Sequence, residues 1–242
     1  MILIYKPIIL FEKEMIMANI VEKIDPWVKI KRILISTSDK KGLDKFIPKI
    51  FIINPEIIIY STGGTYTKLY EIFRANNLPL VQLIQVSDYT GHPETQGGLV
   101  KTLDFRIYLG LLTETYNDDH QTDLERTDAK IIDMVIVNLY PFKDTIKKAN
   151  VTVEIARGQI DIGGPCMLRA SAKNHLRVAS VVDPNDYDMI AQEMGKKEGC
   201  LSFDTRFHLA QKTFRHTADY DNAVADYLES KSAAEARSCY NQ

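Results

Sequence analysis

Short apolar runs that each end in a polar, turn-forming cluster constrain this chain more than any other feature. Ile33-Leu34-Ile35 gives way to Ser36-Thr37-Ser38-Asp39-Lys40, and Ile57–Tyr60 to Ser61-Thr62-Gly63-Gly64-Thr65. Leu80–Val86 leads into a glycine-rich loop from Ser87 to about Leu103, Met134–Val137 ends at Asn138-Leu139-Tyr140-Pro141, and Val178–Val182 ends at Asp183-Pro184. Unbroken apolar runs of this length read as strands buried on both faces, and helical spacing follows several of them. The pattern predicts an α/β domain with three αβα layers around a mostly parallel sheet. Ligands of such sheets bind beyond the carboxyl ends of the strands, where this chain puts its Ser, Thr, Gly, Lys and Asn residues.

The rest of the chain frames that domain. Phe203, Phe207, Ala210, Phe214, Val224 and Tyr227 recur at helical spacing, which predicts an amphipathic C-terminal helical extension with a break near His216-Thr217. Residues 231–242 read as a polar, frayed tail. MILIYKPIIL is interrupted by Lys6 and Pro7 and has no cleavage pattern, so it is neither a signal peptide nor a membrane span. Met15 and Met17 offer alternative starts. Residues 1–30 are therefore assigned to an extension and 31–230 to the domain.

With a net charge of −2, nothing global favours nucleic acid or an anionic membrane. Cys166, Cys200 and Cys239 form no paired or metal-binding spacing, which predicts an intracellular, cytoplasmic chain without disulfides or zinc. His92, His120, His175, His208 and His216 likewise form no ligand set, and none is assigned to a metal.

Two turns have the chemistry of phosphate sites. Ser36, Ser38 and Lys40 make one; Thr62, Gly63, Gly64 and Thr65 make the other. Neither matches GxxxxGK[ST] or GxGxxG, so a mononucleotide or sugar phosphate fits better than a dinucleotide. Ser and Thr also cap helices routinely. Lys101 and Thr102 lie near this edge, where a lysine clamps an anion or is simply solvated. Tyr140 directly follows a strand and precedes Pro141, which predicts a firmly held ring. Gly163-Gly164-Pro165 opens a helix whose free N–H groups suit a developing anion. Asp161 precedes that turn and Lys173 lies beyond it; a folded-back loop would set them across one pocket. The plainer reading makes Asp161 a helix cap and Lys173 a surface charge. No GxSxG or activated cysteine supports covalent catalysis.

The blocks ISTSDKKGL, YSTGGT, VSDYTGHPETQGGLVKTL, VNLYPF, QIDIGGPCMLRASAKNH and RFHLAQKTFRHTADYDNAVADYL, in this order, resemble the inosine monophosphate (IMP) cyclohydrolase domain. That domain is the N-terminal half of a bifunctional purine-biosynthesis protein whose other half is aminoimidazole carboxamide ribotide formyltransferase. The resemblance runs from about Arg32 to Leu228 and implies a fold similar to methylglyoxal synthase, here as a free-standing unit.

It implies closure of the purine ring: the carboxamide nitrogen of formyl-aminoimidazole carboxamide ribotide attacks the formyl carbon and water leaves, without metal or organic cofactor. By matching position, the catalytic residues are Lys101, Tyr140, Asp161 and Lys173. The ribotide contacts fall on Ser36, Ser38, Lys40, Thr62, Gly63, Gly64, Thr65, Thr102, Asn138 and Gly163. Tyr140 and the N–H groups around Gly163 would stabilise the oxyanion, Asp161 and Lys173 would relay the proton, and Lys101 would orient the carboxamide. The partners implied are the purine ribotide, a second copy in a homodimer, and a possible separate formyltransferase. The family usually reads GGRVKTLHP where this chain reads GGLVKTLDF. Leu99 replaces an arginine expected at the phosphate, a loss of about 2 kcal/mol. Asp104-Phe105 replaces His-Pro and brings a negative charge toward an anionic ligand, while Tyr108 and Leu109 stand where small residues are common. The expectation is a weak or retuned enzyme. The alternatives are a nucleotide- or phosphate-sensing module of the same fold, methylglyoxal synthase itself, whose aspartate- and histidine-centred pattern is not visible here, and an inactive partner of a separate formyltransferase.

Overall fold

The computed structural model describes residues 20–93, 95 and 100–241. Met15, Met17, the Gly97-Gly98 pair and Leu99 lie outside the described residues.

Five strands form one sheet: β2 (Arg32–Thr37), β3 (Ile58–Ser61), β4 (Leu83–Gln85), β5 (Met134–Asn138) and β6 (Ala179–Val181), in the order β4-β3-β2-β5-β6. Every neighbouring pair is parallel. Successive side chains alternate between faces. Ile33, Ile35, Met134 and Ile136 enter one buried cluster, and Leu34, Val135 and Val137 the other. Both faces need cover, which explains the unbroken apolar runs. Helices α1 (Leu43–Ile53), α2 (Gly63–Ala75) and α9 (Tyr187–Lys196) supply Phe46, Phe73 and Ile190 to the first cluster. Helices α4 (Phe105–Leu112), α8 (Gly163–Lys173) and α10 (Phe203–Glu229) supply Ile107, Leu168 and Tyr220 to the second. The result is the three-layer α/β fold. Short helices α3 (Val86–Thr90), α5 (Asp118–Thr127), α6 (Phe142–Ile146) and α7 (Val153–Arg157) fill the connections.

The chain leaves β2 through α1 to β3 on one side, whereas β5 pairs with the other side of β2. Strand order reverses there, so the carboxyl ends of β2 and β5 splay open a crevice. Thr37 and Asn138 pair at its floor.

Several boundaries differ from the sequence expectation. Leu80–Gln82 is a 3₁₀ turn after Pro79 rather than strand, and Val86 already begins α3. Val81 is 84% exposed, so this segment lacks the double cover that a buried strand needs. Helix α10 runs unbroken past His216-Thr217, where Thr217 is buried and its hydroxyl donates back to the Phe214 carbonyl at 3.1 Å. Beyond Ser230 the tail forms α11 (Ala233–Arg237), started by a Ser232/Glu235 capping box. The end of the supposed extension is integral: β1 (Trp27–Lys29) pairs antiparallel with β7 (Cys200–Ser202), and Ile30 is fully buried. Buried Arg206 donates to the carbonyls of Asp25, His175, Leu176 and Leu201, tying these segments together.

No helix among the described residues is long and apolar enough to cross a membrane.

Candidate active site

The turn after β2 is held by its neighbours. Asn138, the last residue of β5, accepts from Asp39 N at 2.8 Å through Oδ1 and donates from Nδ2 to Asp39 O at 2.7 Å. Thr65 Oγ1 accepts from Thr37 N at 3.1 Å and donates to Thr37 O at 3.0 Å. Lys40 Nζ folds over the carbonyls of Thr37 and Ser38 at 3.3 and 3.2 Å. Asn138 and Thr65, expected as ligand contacts, therefore spend their side chains on the loop. Their work is to fix the backbone that Ser36, Ser38 and Lys40 ride on.

The second turn opens α2 directly. Its N-cap, Thr62, makes no side-chain cap, and Gly63 and Gly64 line the cleft as the first helical residues. First-turn N–H groups have no carbonyl within their own helix, so this end suits an anion. Ser36 Oγ lies 3.4 Å from Thr62 Oγ1, which joins the two hydroxyl turns into one wall.

Lys101 and Thr102 bridge the opposite ends of the crevice. A Cβ at Gly63, where φ is +47°, would stand 3.1 Å from Lys101 Nζ. One at Gly163 would stand 2.8 Å from Thr102 Oγ1. The loop thus leans on the starts of both α2 and α8, where the positive φ of Gly63 favours glycine and a side chain at Gly163 would displace the Thr102 hydroxyl.

Asp161 Oδ1 accepts from Gly164 N at 2.9 Å, so this carboxylate does cap α8. Its own N–H donates to Tyr220 Oη at 2.7 Å. Burial pushes the Asp161 carboxyl above the usual carboxylate range, and the Gly164 hydrogen bond only partly offsets this. Tyr140 stands across the cleft and is 57% exposed. The prediction of a tightly held ring is corrected: buried Leu139 and Phe142 anchor the segment and leave the phenol at the mouth.

Together these residues line one cleft of about 520 Å³. Ser36, Ser38, Lys40, Thr62, Gly63, Gly64, Thr65, Lys101, Thr102, Asn138, Tyr140, Asp161 and Gly163 all border it. Its volume suits one small ligand. Among the described residues two lysines and one carboxylate line it, with hydroxyls and helix N-termini around them, which is chemistry for an anionic ligand that undergoes proton transfer.

Lys173 is not among the lining residues. It closes the 11-residue helix that Gly163 opens, about 15 Å away at 1.5 Å per residue. The helix runs straight on from Asp161, so no folded-back loop brings the two together within one copy. Lys173 is exposed instead, one turn past Arg169, whose guanidinium lies 5.8 Å from the Phe214 ring. Asp104 also departs from expectation: it caps α4 by accepting from Arg106 N at 2.8 Å and lies 3.5 Å from His92 Nε2. It borders an adjacent hollow rather than the cleft.

The sequence reading missed Gln159, Ile160, Leu103 and Met167, which also line the cleft. Gln159 sat within a recognised block beside Asp161, but apolar and amide side chains carry no spacing signal.

Among the described residues, no group of three or more His, Cys, Asp or Glu side chains is arranged to hold a metal.

The sheet order, the two covering layers and the rim cleft define an MGS-like α/β domain with a polar cleft at the sheet rim. The MGS-like domain model matches residues 52–166, and the model of the AICARFT/IMPCHase bienzyme matches residues 171–242. The bifunctional purine biosynthesis protein PurH of Thermoanaerobacter sp. (strain X514) is 46% identical over 205 residues, 85% of this chain and 38% of that protein. PurH of Bacillus subtilis (strain 168) is 46% identical over 199 residues, 82% of this chain and 37% of its own length. The chain thus spans under two-fifths of these relatives. The crystal structure of ForH superposes with a TM-score of 0.66 at 27% identity, covering 82% of this chain and 99% of that one. Over 82–85% of its length the chain is similar to these bifunctional purine-biosynthesis proteins, and the two family models match it one after the other.

Proposed function

We propose that this chain is an IMP cyclohydrolase that closes the purine ring of the formylated carboxamide ribotide in the cytoplasm. One observation carries the reading: Lys101, Tyr140 and a half-buried Asp161 meet in the cleft that also holds both hydroxyl turns and the starts of α2 and α8. The 5′-phosphate sits against Ser36, Ser38, Lys40 and the N–H groups of Gly63 and Gly64. The imidazole then extends toward Gly163, Asp161 and Tyr140.

The carboxamide nitrogen is a weak nucleophile, so its proton must leave as the new C–N bond forms. Asp161, raised by burial, is suited to accept that proton. The formyl oxygen becomes an oxyanion that the Tyr140 hydroxyl and the start of α8 stabilise by about 3 kcal/mol per donor. Lys101 holds the carboxamide. Protonation of the new hydroxyl and loss of water complete the aromatic ring.

Lys173 fits this scheme from a second copy. Its exposed flank of α8 adjoins Phe207 and Phe214, 43% and 41% exposed, an aromatic and basic face suited to a homodimer. The formylated ribotide comes from a formyltransferase, separate from this chain or fused to it as the relatives' bifunctional name describes.

The test supplies purified protein with the formylated ribotide and follows IMP above the uncatalysed background. Turnover that Asp161→Asn removes supports the enzyme. Tight IMP binding without turnover identifies a nucleotide sensor instead.

A further inference from the structure

The long C-terminal helix reaches the catalytic loops through one side chain. Tyr220 of α10 is 8% exposed, and its hydroxyl accepts from Asp161 N at 2.7 Å. Its ring meets Phe142 edge-on, centroids 6.2 Å apart. Phe142 N in turn donates to Tyr140 O at 2.8 Å. Tyr220 therefore touches both the loop that carries Asp161 and the turn that carries Tyr140, although it does not line the cleft. Tyr227, two turns further along α10, also meets the Phe142 ring edge-on, with centroids 5.9 Å apart. Its hydroxyl is buried with no hydrogen-bond partner among the described residues.

We infer that Tyr220 is a positioning residue that sets the distance between Asp161 and Tyr140, making α10 part of the reaction machinery as well as of the core. Among the described residues the acceptor for the Asp161 N–H is the Tyr220 hydroxyl of α10. Fixing that N–H holds the peptide plane that leads into Asp161, and the Gly164 hydrogen bond then holds its carboxylate. Removing the hydroxyl frees the loop, admits water beside the carboxylate and lets the reacting groups drift apart. Misplacement on this scale is costly in rate even when binding persists.

The inference rests on the cyclohydrolase reading for its kinetic arm only. Tyr220→Phe keeps the ring and deletes the hydroxyl; Tyr227→Phe is the matched control, because its hydroxyl bonds to nothing described. Expected for Tyr220→Phe is a fall in kcat on the order of tenfold with IMP affinity little changed. In carbon-13 spectra of the carboxylates, with the Asp161 signal assigned through Asp161→Asn, the Asp161 titration midpoint should move down toward that of a solvated aspartate. Tyr227→Phe should leave both readings at wild-type values. Equal behaviour of the two variants in rate and titration overturns the inference. Should the wild type form no IMP, the cyclohydrolase reading fails alone, and the titration still decides what Tyr220 does.

Discussion

Asn138 and Asp39 exchange two hydrogen bonds across the crevice, side-chain amide to main chain, at 2.8 and 2.7 Å. The amide reproduces what another strand's backbone would offer and clamps the turn where β2 ends. Asn138→Ala should leave Asp39 to water and let Ser38 and Lys40 wander. Two hydrogen bonds of about 1 kcal/mol each, partly replaced by water, predict IMP binding weakened roughly tenfold. Calorimetric titration with IMP measures it, and an unchanged Kd would show that the clamp is idle.

Asp161 is held at odds with its charge. Its folded-state pKa is above the ordinary value, so the stability linked to it is present below the unfolded pKa and lost as pH rises through the folded one. Once ionised, the buried carboxylate is a liability to the fold. Asp161→Asn keeps an oxygen for Gly164 N and removes the charge, so its Tm at pH 7 should exceed that of the wild type while turnover disappears. A wild-type kcat/KM that rises with pH through a midpoint above that of a free aspartate agrees with this. A variant less stable at pH 7 than the wild type contradicts it.

The sheet was legible because burial on both faces forces long apolar runs, and β2, β3, β5 and β6 fall where those runs lie. Leu80–Val86 misled because apolar composition does not reveal that only Leu83–Gln85 pairs with β3. Residues of the cleft rim were legible as hydroxyls, glycines and lysines after strands. Their division of labour was not. Whether Thr65 and Asn138 face the ligand or the Thr37 and Asp39 backbone depends on how strand ends register, and sequence spacing contains no such distance. Asp161 and Lys173 do not meet within one copy for a simpler reason, since Lys173 closes the 11-residue helix that starts two residues past Asp161.

Arg206 is fully buried, and its guanidinium serves four carbonyls drawn from three parts of the chain. Arg206→Met would fill much of the space while leaving those acceptors dry. The loss should be on the order of 3 kcal/mol, read as a lower urea midpoint. The residues holding the cleft are elsewhere, so IMP affinity of the folded fraction should persist. A change under about 1 kcal/mol would mean that water replaces the guanidinium without penalty.

The exposed position of Lys173 yields a prediction that one copy alone cannot meet. In the two-fold pair proposed above, Lys173 of one copy and Asp161 of the other would form one composite site, and the reverse pairing would form its mate. Lys173→Met and Asp161→Asn should each abolish turnover in separate preparations. Mixed in equal amounts and allowed to exchange, half the dimers carry one copy of each. Those dimers have one site with both groups and one with neither, so activity should recover to roughly a quarter of the wild-type value. Light scattering checks that pairs form. Dimers that exchange freely without any recovery would confine the chemistry to Lys101, Tyr140 and Asp161 of a single copy and leave Lys173 a surface charge.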